Sequence, residues 1–248
     1  LPPAPSFAAH AAAAPEADAE ALAWWTERLA DAPPLPELPT DAPRPARRSY
    51  AGASLSVEIA PETFRAARKA GAKRGCTAFG TLFAATQMVL SRLSGASDVI
   101  LGVPTGGQAS LPDPSLVGHC VNFLPIRVPL DPEAPAEAHL RAVGQALPEA
   151  FERQSVTLGT LVKALDLPRD LSRQPLTEVQ FNLERGAGRL AFGQAVGEVR
   201  NAPKAAVNFD LFFNLVEHEA GLRVEVDYNA TLFAAETGRR WVSHLARG

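Results

Sequence analysis

The clearest pattern in this chain is a strict alternation of apolar and polar positions in its last third. One side of the stretch 177–184 carries Thr177, Val179, Phe181 and Leu183, and the other carries Glu178, Gln180, Asn182 and Glu184. A period of two is typical of a strand that lays one face on a core and leaves the other polar. The same alternation over 207–215, with Asp210 on the polar side, and over 222–229 and 55–59 predicts three more strands.

Helical spacing of apolar residues predicts helices over 15–30, 61–73, 77–93, 134–153, 158–167 and 234–246. Thr77 is suited to cap the third of these and Gly95 to end it, and its apolar residues lie nearly all round, which predicts burial. A short apolar strand is expected over 98–103, followed by a loop over 104–115.

Proline, alanine and glycine set the expectations for three further stretches. Six prolines within 31–48 predict a stiff, extended connector, because each proline fixes its φ angle. The Ala- and Pro-rich residues 1–14 predict a loosely ordered start. The glycine-rich stretch 185–197 predicts a mobile arm or a crossover.

Composition narrows the classes of function. The net charge of −3 and a pI of about 6.0 do not suit a surface for nucleic acid or anionic membrane. The most apolar window, around 77–93, is too short and too polar to span a bilayer, and no secretion signal is recognisable. Two cysteines, Cys76 and Cys120, argue for a reducing compartment. We therefore expect a soluble cytoplasmic protein whose 248 residues bury a large core.

A charged turn precedes the strand at 177–184. Arg169, Asp170, Ser172 and Arg173 fall within five residues, and Pro175 restricts the residue before it to an extended conformation. The residues alone allow two interpretations: an ion-paired clamp at the mouth of the strand, or a solvated loop with an Arg-Asp pair, which is the commoner case.

The same eight residues, 169–176, resemble the Arg-Asp-x-Ser-Arg-Asn-Pro-Leu motif of condensation domains of nonribosomal peptide synthetases, with Gln174 in place of asparagine. Residues 116–127 are similar to the family's Ile/Val-Gly-x-Phe-Val-Asn-Thr segment and its following arginine, although Cys120 replaces Phe and Phe123 replaces Thr. Residues 154–159 depart from the family's Gln-Asp-x-Pro-Phe-Glu. The resemblance also covers the Pro-rich connector and the last strands, and runs from about residue 6 to the end.

The resemblance implies an α/β fold: one lobe of the chloramphenicol acetyltransferase type, with a mixed, mostly antiparallel sheet and flanking helices. Residues 1–48 would form a helix and connector, and 49–248 the C-terminal lobe. The family's catalytic His-His-x-x-x-Asp-Gly belongs to the other lobe, and no two of the five histidines here are adjacent. The implied reaction is amide formation between two carrier-bound groups, and we expect this chain to be inactive alone.

The resemblance also implies roles for six residues. Asp170, Arg173 and Gln174 would hold the lobe interface, Asp170 through an arginine of the other lobe. Gly118, His119 and Asn122 would shape the channel floor, although a histidine such as His119 is more often an ordinary packed or surface residue. No catalytic or metal-binding residue is assigned. The glycine of this segment is expected within a strand, where it permits close approach of another backbone or of a ligand.

The implied partners are the N-terminal lobe, donor and acceptor peptidyl carrier proteins and a neighbouring adenylation domain. No cofactor is expected to bind directly, because the substrates ride on the carriers' 4'-phosphopantetheine. Two alternatives stay open. The chain is a non-catalytic, condensation-like module that recruits carriers or a tailoring enzyme, or it is a relative that forms esters or uses CoA esters.

Overall fold

A six-stranded mixed sheet forms the centre of the computed structural model, which describes residues 5–12, 18–106, 115–219 and 221–247. The helices are α1 (Phe7–Ala12), α2 (Ala19–Leu29), α3 (Pro61–Ala72), α4 (Ala78–Ser94), α5 (Ala136–Glu152), α6 (Leu158–Ala164) and α7 (Ala235–Arg247). The strands are β1 (Gly52–Ile59), β2 (Leu101–Gly106), β3 (Val121–Ile126), β4 (Val179–Arg185), β5 (Arg189–Phe192), β6 (Ala195–Glu198), β7 (Leu211–His218) and β8 (Gly221–Asn229).

The strand order of the large sheet is β1-β8-β7-β4-β2-β3. Strands β1 and β8, β7 and β8, and β2 and β3 pair antiparallel, whereas β4 pairs parallel with both β2 and β7. The predicted mixed, mostly antiparallel sheet with flanking helices is therefore confirmed. Because β4 and β7 are parallel and in register from Val179 opposite Leu211, both strands begin at the same end of the sheet.

One core lies between the sheet and the helices. Phe181 of β4 is fully buried and meets Phe79 and Phe83 of α4 edge to face, with ring centroids 5.2 and 5.5 Å apart. The start and end of α4 are as predicted: the Thr77 hydroxyl accepts a hydrogen bond from the Gly80 N–H, and Gly95 adopts the left-handed conformation.

The Pro-rich connector is extended, as expected, and is fastened to the far end of the chain. The Asp41 carboxylate accepts hydrogen bonds from the Ala234 N–H at 2.7 Å and from the Thr237 hydroxyl at 2.9 Å, at the start of α7. Trp25 and Leu29 of α2 are buried in the same core as the sheet. A domain boundary at residue 48 stays a prediction. The hydrophobic core includes residues on both sides of that position.

Several sequence-based boundaries were wrong. Residues 7–12 form α1, where a loosely ordered start was expected. Where a mobile arm or crossover was expected over 185–197, the chain forms a two-stranded hairpin, β5–β6, which ends at Glu198 and has left-handed glycines at 188 and 193. Strand β2 begins at Leu101 and runs to Gly106, and the rest of the predicted loop, 107–114, lies outside the described residues. Strand β7 begins at Leu211, four residues later than predicted.

The part of the chain that the structure describes was compared with the requirements for a membrane-spanning helix and for a metal site. There, no helix has the length and apolar character needed to cross a membrane. Within the same ranges, no group of three or more His, Cys, Asp or Glu side chains is placed to hold a metal ion.

His139 makes the fold sensitive to acid. Its ring is buried between α4 and α5, where Nε2 lies 3.1 Å from Gln87 Oε1, and burial lowers its pKa to about 4. The unfolded chain takes up this proton below its ordinary pKa of 6.5 and the folded chain does not, so stability is lost as the pH falls from 6.5 toward 4. We expect urea unfolding to report a loss of about 2 kcal/mol between pH 7.5 and 5 from this group.

The variant His139→Gln isolates that contribution, because it cannot titrate. The loss on acidification should be about 2 kcal/mol smaller in the variant than in the wild type. Equal pH slopes for the two proteins would contradict the assignment.

Candidate functional site

The charged turn sits between α6 and the start of β4 and is closed by its own side chains. Asp170 Oδ1 accepts hydrogen bonds from the Ser172 N–H and the Ser172 hydroxyl, both at 2.7 Å, and these bonds lower the pKa of Asp170. Leu176 at the end of the turn has a φ of 67°, which is uncommon for a residue with a side chain, and its side chain is buried. The turn therefore has a defined shape, while the Asp170 side chain stays exposed.

Arg173 points back into the chain. Its guanidinium donates to Glu178 Oε2 at 2.7 Å and to Glu37 Oε1 at 2.5 Å, and only 14% of its side chain is exposed. Gln174 donates from Nε2 to the Asn208 carbonyl at 3.2 Å. Both residues thus fasten the turn to neighbouring segments of this same chain, the connector and the approach to β7.

Two arginines of the connector lie beneath the turn. Arg44 lies 2.5 Å from Asp210 Oδ2 and 3.1 Å from Glu178 Oε1, and it also donates to the Ser172 carbonyl at 3.3 Å. The Arg48 N–H donates to the Leu171 carbonyl at 2.9 Å, and its guanidinium lies 3.6 Å from Asp210 Oδ1. We refer to Arg44, Arg48, Arg173, Glu178 and Asp210 as the charge cluster.

The charge cluster is almost dry. The Glu178 and Asp210 side chains are 6% and 1% exposed and that of Arg48 is 5% exposed. Burial and the nearby Asp210 carboxylate raise the pKa of Glu178 to about 7. Burial also lowers the pKa of Arg48, whose guanidinium nitrogens have no hydrogen-bond partner within the described residues.

The ion-paired clamp is therefore the correct interpretation of the turn, although its members differ from those expected. Asp170 pairs with Ser172, and the clamp is made by Arg173 together with residues that the sequence did not single out. Glu178 and Asp210 stood on the polar side of two alternating patterns, which predicted exposure, and that prediction was wrong for both. Arg44 and Arg48 gave no signal beyond lying in a Pro-rich connector.

An apolar groove of about 630 Å³ opens beside the turn. Its walls include the connector from Ala32 to Leu35, Val162 of α6, Leu167 and Leu176. The turn contributes Arg169, Asp170, Leu171, Arg173 and Gln174 to the lining. Leu171, at the tip of the turn, is 65% exposed. The turn thus presents an apolar tip next to an apolar, polar-rimmed groove, a combination typical of a binding surface.

The second segment that resembles the family, residues 116–127, makes its contacts away from the charged turn. Gly118 lies ahead of β3, not within a strand. A group does approach it closely, but it is a side chain and not the expected backbone or ligand: a ring carbon of Phe7 of α1 lies 2.1 Å from where a Cβ would stand. His119 is exposed. The Asn122 amide donates from Nδ2 to the carbonyls of Gln154 at 2.6 Å and Val156 at 2.8 Å, so it ties β3 to the α5–α6 connection.

Asn122→Ala should lower the free energy of unfolding by about 1–3 kcal/mol, because two carbonyls lose their donor. Thermal or urea unfolding followed by circular dichroism measures this loss. The exposed neighbour His119→Ala serves as the control and should be neutral within about 0.5 kcal/mol. An equally stable Asn122 variant would show that the amide is not a structural tie.

Comparison with known proteins identifies relatives along nearly the whole chain. The family model described as the condensation domain matches residues 1–247. One component of the linear gramicidin synthase of Brevibacillus parabrevis is 35% identical over 231 residues, which cover 91% of this chain and 3% of that protein. Tyrocidine synthase 3 of the same organism is 32% identical over 228 residues, covering 90% of this chain and 4% of that protein. The chain thus spans a small part of the length of such curated relatives.

Solved structures share the fold. A four-domain nonribosomal peptide synthetase bound to AMP and glycine aligns with a TM-score of 0.84 and 22% identity, over 92% of this chain and 19% of that one. The first condensation domain of the calcium-dependent antibiotic synthetase, with a substrate analogue, aligns at 0.77 and 22%, over 96% and 52%. The X-domain in complex with OxyB from teicoplanin biosynthesis aligns at 0.80 and 23%, over 92% and 52%.

Proposed function

This chain belongs to the condensation-domain family, and from that premise we propose that it forms one lobe of an amide-forming condensation domain of a nonribosomal peptide synthetase. The observation that carries the proposal is the charged turn at 169–176. It matches the family motif at all but one position and is held by a buried charge cluster beside an apolar groove. The alignment with about half of a condensation-domain chain supports a single lobe.

In the proposed reaction, the amine of a carrier-bound aminoacyl group attacks the thioester carbon of a carrier-bound donor. A C–N bond forms, the C–S bond breaks, the donor's phosphopantetheine thiol leaves and the amine loses a proton. The chain's own contribution is positional: the turn with Asp170, Arg173 and Gln174 and the segment with Gly118, His119 and Asn122 would shape one wall of the channel. The proton would be managed by the His-His-x-x-x-Asp-Gly motif of the other lobe.

Exposed apolar side chains mark where the other lobe would pack. Val117 is 77% exposed, Leu171 65%, and on the β5–β6 hairpin Phe192 and Val196 are 67% and 65% exposed. Single exposed apolar residues are ordinary on a protein surface, so the hairpin region, which also exposes Leu190 and Val199, is the strongest candidate for the contact. The hairpin extends from the end of β4 as a separate two-stranded sheet, so it is suited to reach a neighbouring body.

The remaining partners follow from the same proposal. Donor and acceptor peptidyl carrier proteins would bring the substrates on 4'-phosphopantetheine arms, and an adenylation domain would lie in the same synthetase. The chain itself would bind no cofactor. We place it in the cytoplasm, where its two free cysteines, Cys76 and Cys120, stay reduced.

A second function has one specific observation in its favour. The X-domain that shares this fold was solved in a complex with OxyB, so a condensation-like body can serve as a docking partner for another protein. Under this alternative the chain recruits a carrier or a tailoring enzyme without making a bond. Ester formation, or use of a CoA ester as donor, is also compatible with this lobe as one wall of the channel, because the lobe does not determine the acceptor atom.

The test is a single-turnover assay of the complete domain, with this chain joined to its N-terminal lobe and supplied with loaded donor and acceptor carriers. Mass spectrometry of the acceptor carrier should detect the amide product. If the complete domain yields an ester, the acceptor is a hydroxyl; if it yields neither an amide nor an ester but binds the carriers, the recruiting function replaces the proposed one.

A further inference from the structure

A stacked pair of aromatic rings lies on the face of the sheet that is turned away from the α5–α6 connection. In β3, the Asn122 amide binds two carbonyls of that connection, so the next residue, Phe123, points to the opposite face. There the Phe123 ring stacks on the Phe209 ring, with centroids 5.0 Å apart and planes inclined by 24°. Both side chains are half-buried, so each ring keeps some surface open to solvent.

Glycine at position 102 makes room for this arrangement. The Phe123 ring lies directly over the backbone of β2, where a Cβ on Gly102 would clash with it. Gly102 stands opposite Gln180 of β4, and Gln180 precedes Phe181, which packs on α4. Opposed residues of paired strands share a face and successive residues alternate, so Phe123, Gly102 and Gln180 lie on the face that α4 does not cover.

The ring pair joins the two segments that are proposed to shape the channel wall. Phe123 belongs to the segment 116–127. Phe209 follows Asn208, whose carbonyl accepts the hydrogen bond from Gln174 of the charged turn. The two rings therefore bridge the distance between these segments on one face of the sheet.

The surface around the rings is neutral. The cross-strand partner of Phe123 is Pro104, and Gln180 lies on the next strand. Farther across the same face the side chains are acidic, with Glu184 and Glu225 bound to the amide of a buried asparagine of β7. A polar substrate side chain that lay on the rings would lose water without gaining a conventional hydrogen bond, whereas an apolar side chain would gain contact area.

We infer that Phe123 and Phe209 are specificity-determining residues, and that they select a carrier-bound substrate with an apolar side chain. This role rests on the proposed function, because the rings meet the substrate only if this face forms the channel wall. Phe123 stands where the family pattern has threonine, so the selection is a property of this chain.

Phe123→Thr, made in the complete domain, tests the role by competition. Acceptor carriers loaded with leucine and with asparagine, whose side chains have nearly the same shape, compete for one donor, and mass spectrometry gives the ratio of the two amides. The wild type should prefer leucine, and the preference should fall on the order of tenfold in the variant. The same pair is then placed on the donor carrier, and the arm whose ratio falls identifies the substrate that meets the rings.

A matched control is Tyr50→Thr, which removes an aromatic ring that is 55% exposed elsewhere on the chain. It should keep the wild-type ratio in both arms. A wild type without a preference for leucine, or a ratio that Phe123→Thr leaves unchanged in both arms, would overturn the inference while the amide products uphold the proposed function.

A second measurement does not depend on amide formation. Phenylalanine ring signals of the labelled complete domain are recorded by NMR and assigned by their loss in Phe123→Thr and Phe209→Leu. The probes are the non-hydrolysable leucyl and asparaginyl amides of pantetheine. The leucyl probe should shift both signals at a concentration at which the asparaginyl probe does not.

Signals that neither probe shifts would show that the other lobe covers the rings, and would overturn the inference. Shifts by the leucyl probe alone, in a domain that forms no amide, would uphold the selection of an apolar side chain and refute the proposed function. The two failures are therefore distinguishable.

Discussion

Asp210→Ala lowers the free energy of unfolding by about 3–5 kcal/mol at pH 7. The Asp210 side chain is 1% exposed and is the nearest carboxylate to two arginines of the connector, Arg44 at 2.5 Å and Arg48 at 3.6 Å. Its removal leaves two guanidinium groups in a dry site with Glu178 as their remaining carboxylate. The cost is that of burying unpaired charge, which far exceeds the loss of a surface ion pair.

Urea unfolding at pH 7 measures this loss of stability. Substitution of an aspartate of β8 serves as the comparison. Asp227 pairs with Lys204 at 2.6 Å and accepts a hydrogen bond from the Ser54 hydroxyl. Because the Lys204 side chain is 47% exposed and stays solvated without its partner, Asp227→Ala should cost only about 1–2 kcal/mol. If Asp210→Ala were as mild as Asp227→Ala, the charge cluster would not be what holds the connector on the sheet.

The double variant Phe192→Asp, Val196→Asp weakens association with the N-terminal lobe on the order of 100-fold or more. Both residues are about two-thirds exposed on the β5–β6 hairpin, so the isolated chain loses little packing when they change. Phe192 pairs with Ala195 and Val196 with Ala191, so the two side chains lie on opposite faces of the hairpin. Whichever face the other lobe covers, the double variant replaces a buried apolar side chain there with a carboxylate without a partner, and this opposes only the assembled state.

Isothermal titration of the lobe into the chain measures the change in affinity. The variant Ala66→Asp, Ala70→Asp makes the same kind of change at two exposed positions of α3 and should bind like the wild type. If the hairpin variant binds the lobe with wild-type affinity, the interface does not include the hairpin and lies nearer Leu171 and Val117. Loss of affinity in both variants would indicate a general effect of added charge.

Much of the framework was predictable from local chemistry. The period-two patterns located β1, β4, β7 and β8, and a hydroxyl and a glycine placed both ends of α4, because these signals depend on neighbours along the chain. The hairpin was missed because its glycines suggested mobility more strongly than its few apolar residues suggested strands. Residues 7–12 were missed because an Ala- and Pro-rich composition carries no packing information.

The charge cluster could not be predicted from the sequence for a different reason. An acidic residue on the polar side of a strand pattern predicts exposure. Glu178 and Asp210 are buried against arginines that include Arg44, which lies 134 and 166 residues away from them in sequence. A resemblance to a family motif drew attention to the turn and to Arg173, whose place at a lobe interface stays a prediction. It did not identify the internal partners that give the turn its shape.

The decisive measurement is a titration of this chain with its separately produced N-terminal lobe in the presence of loaded donor and acceptor carriers. We expect no amide from the chain alone and a rate of amide formation that rises with lobe concentration and saturates. Amide formed by the chain alone, or no amide when the lobe is bound at saturation, would show that the chain is not one lobe of a two-lobe amide-forming catalyst.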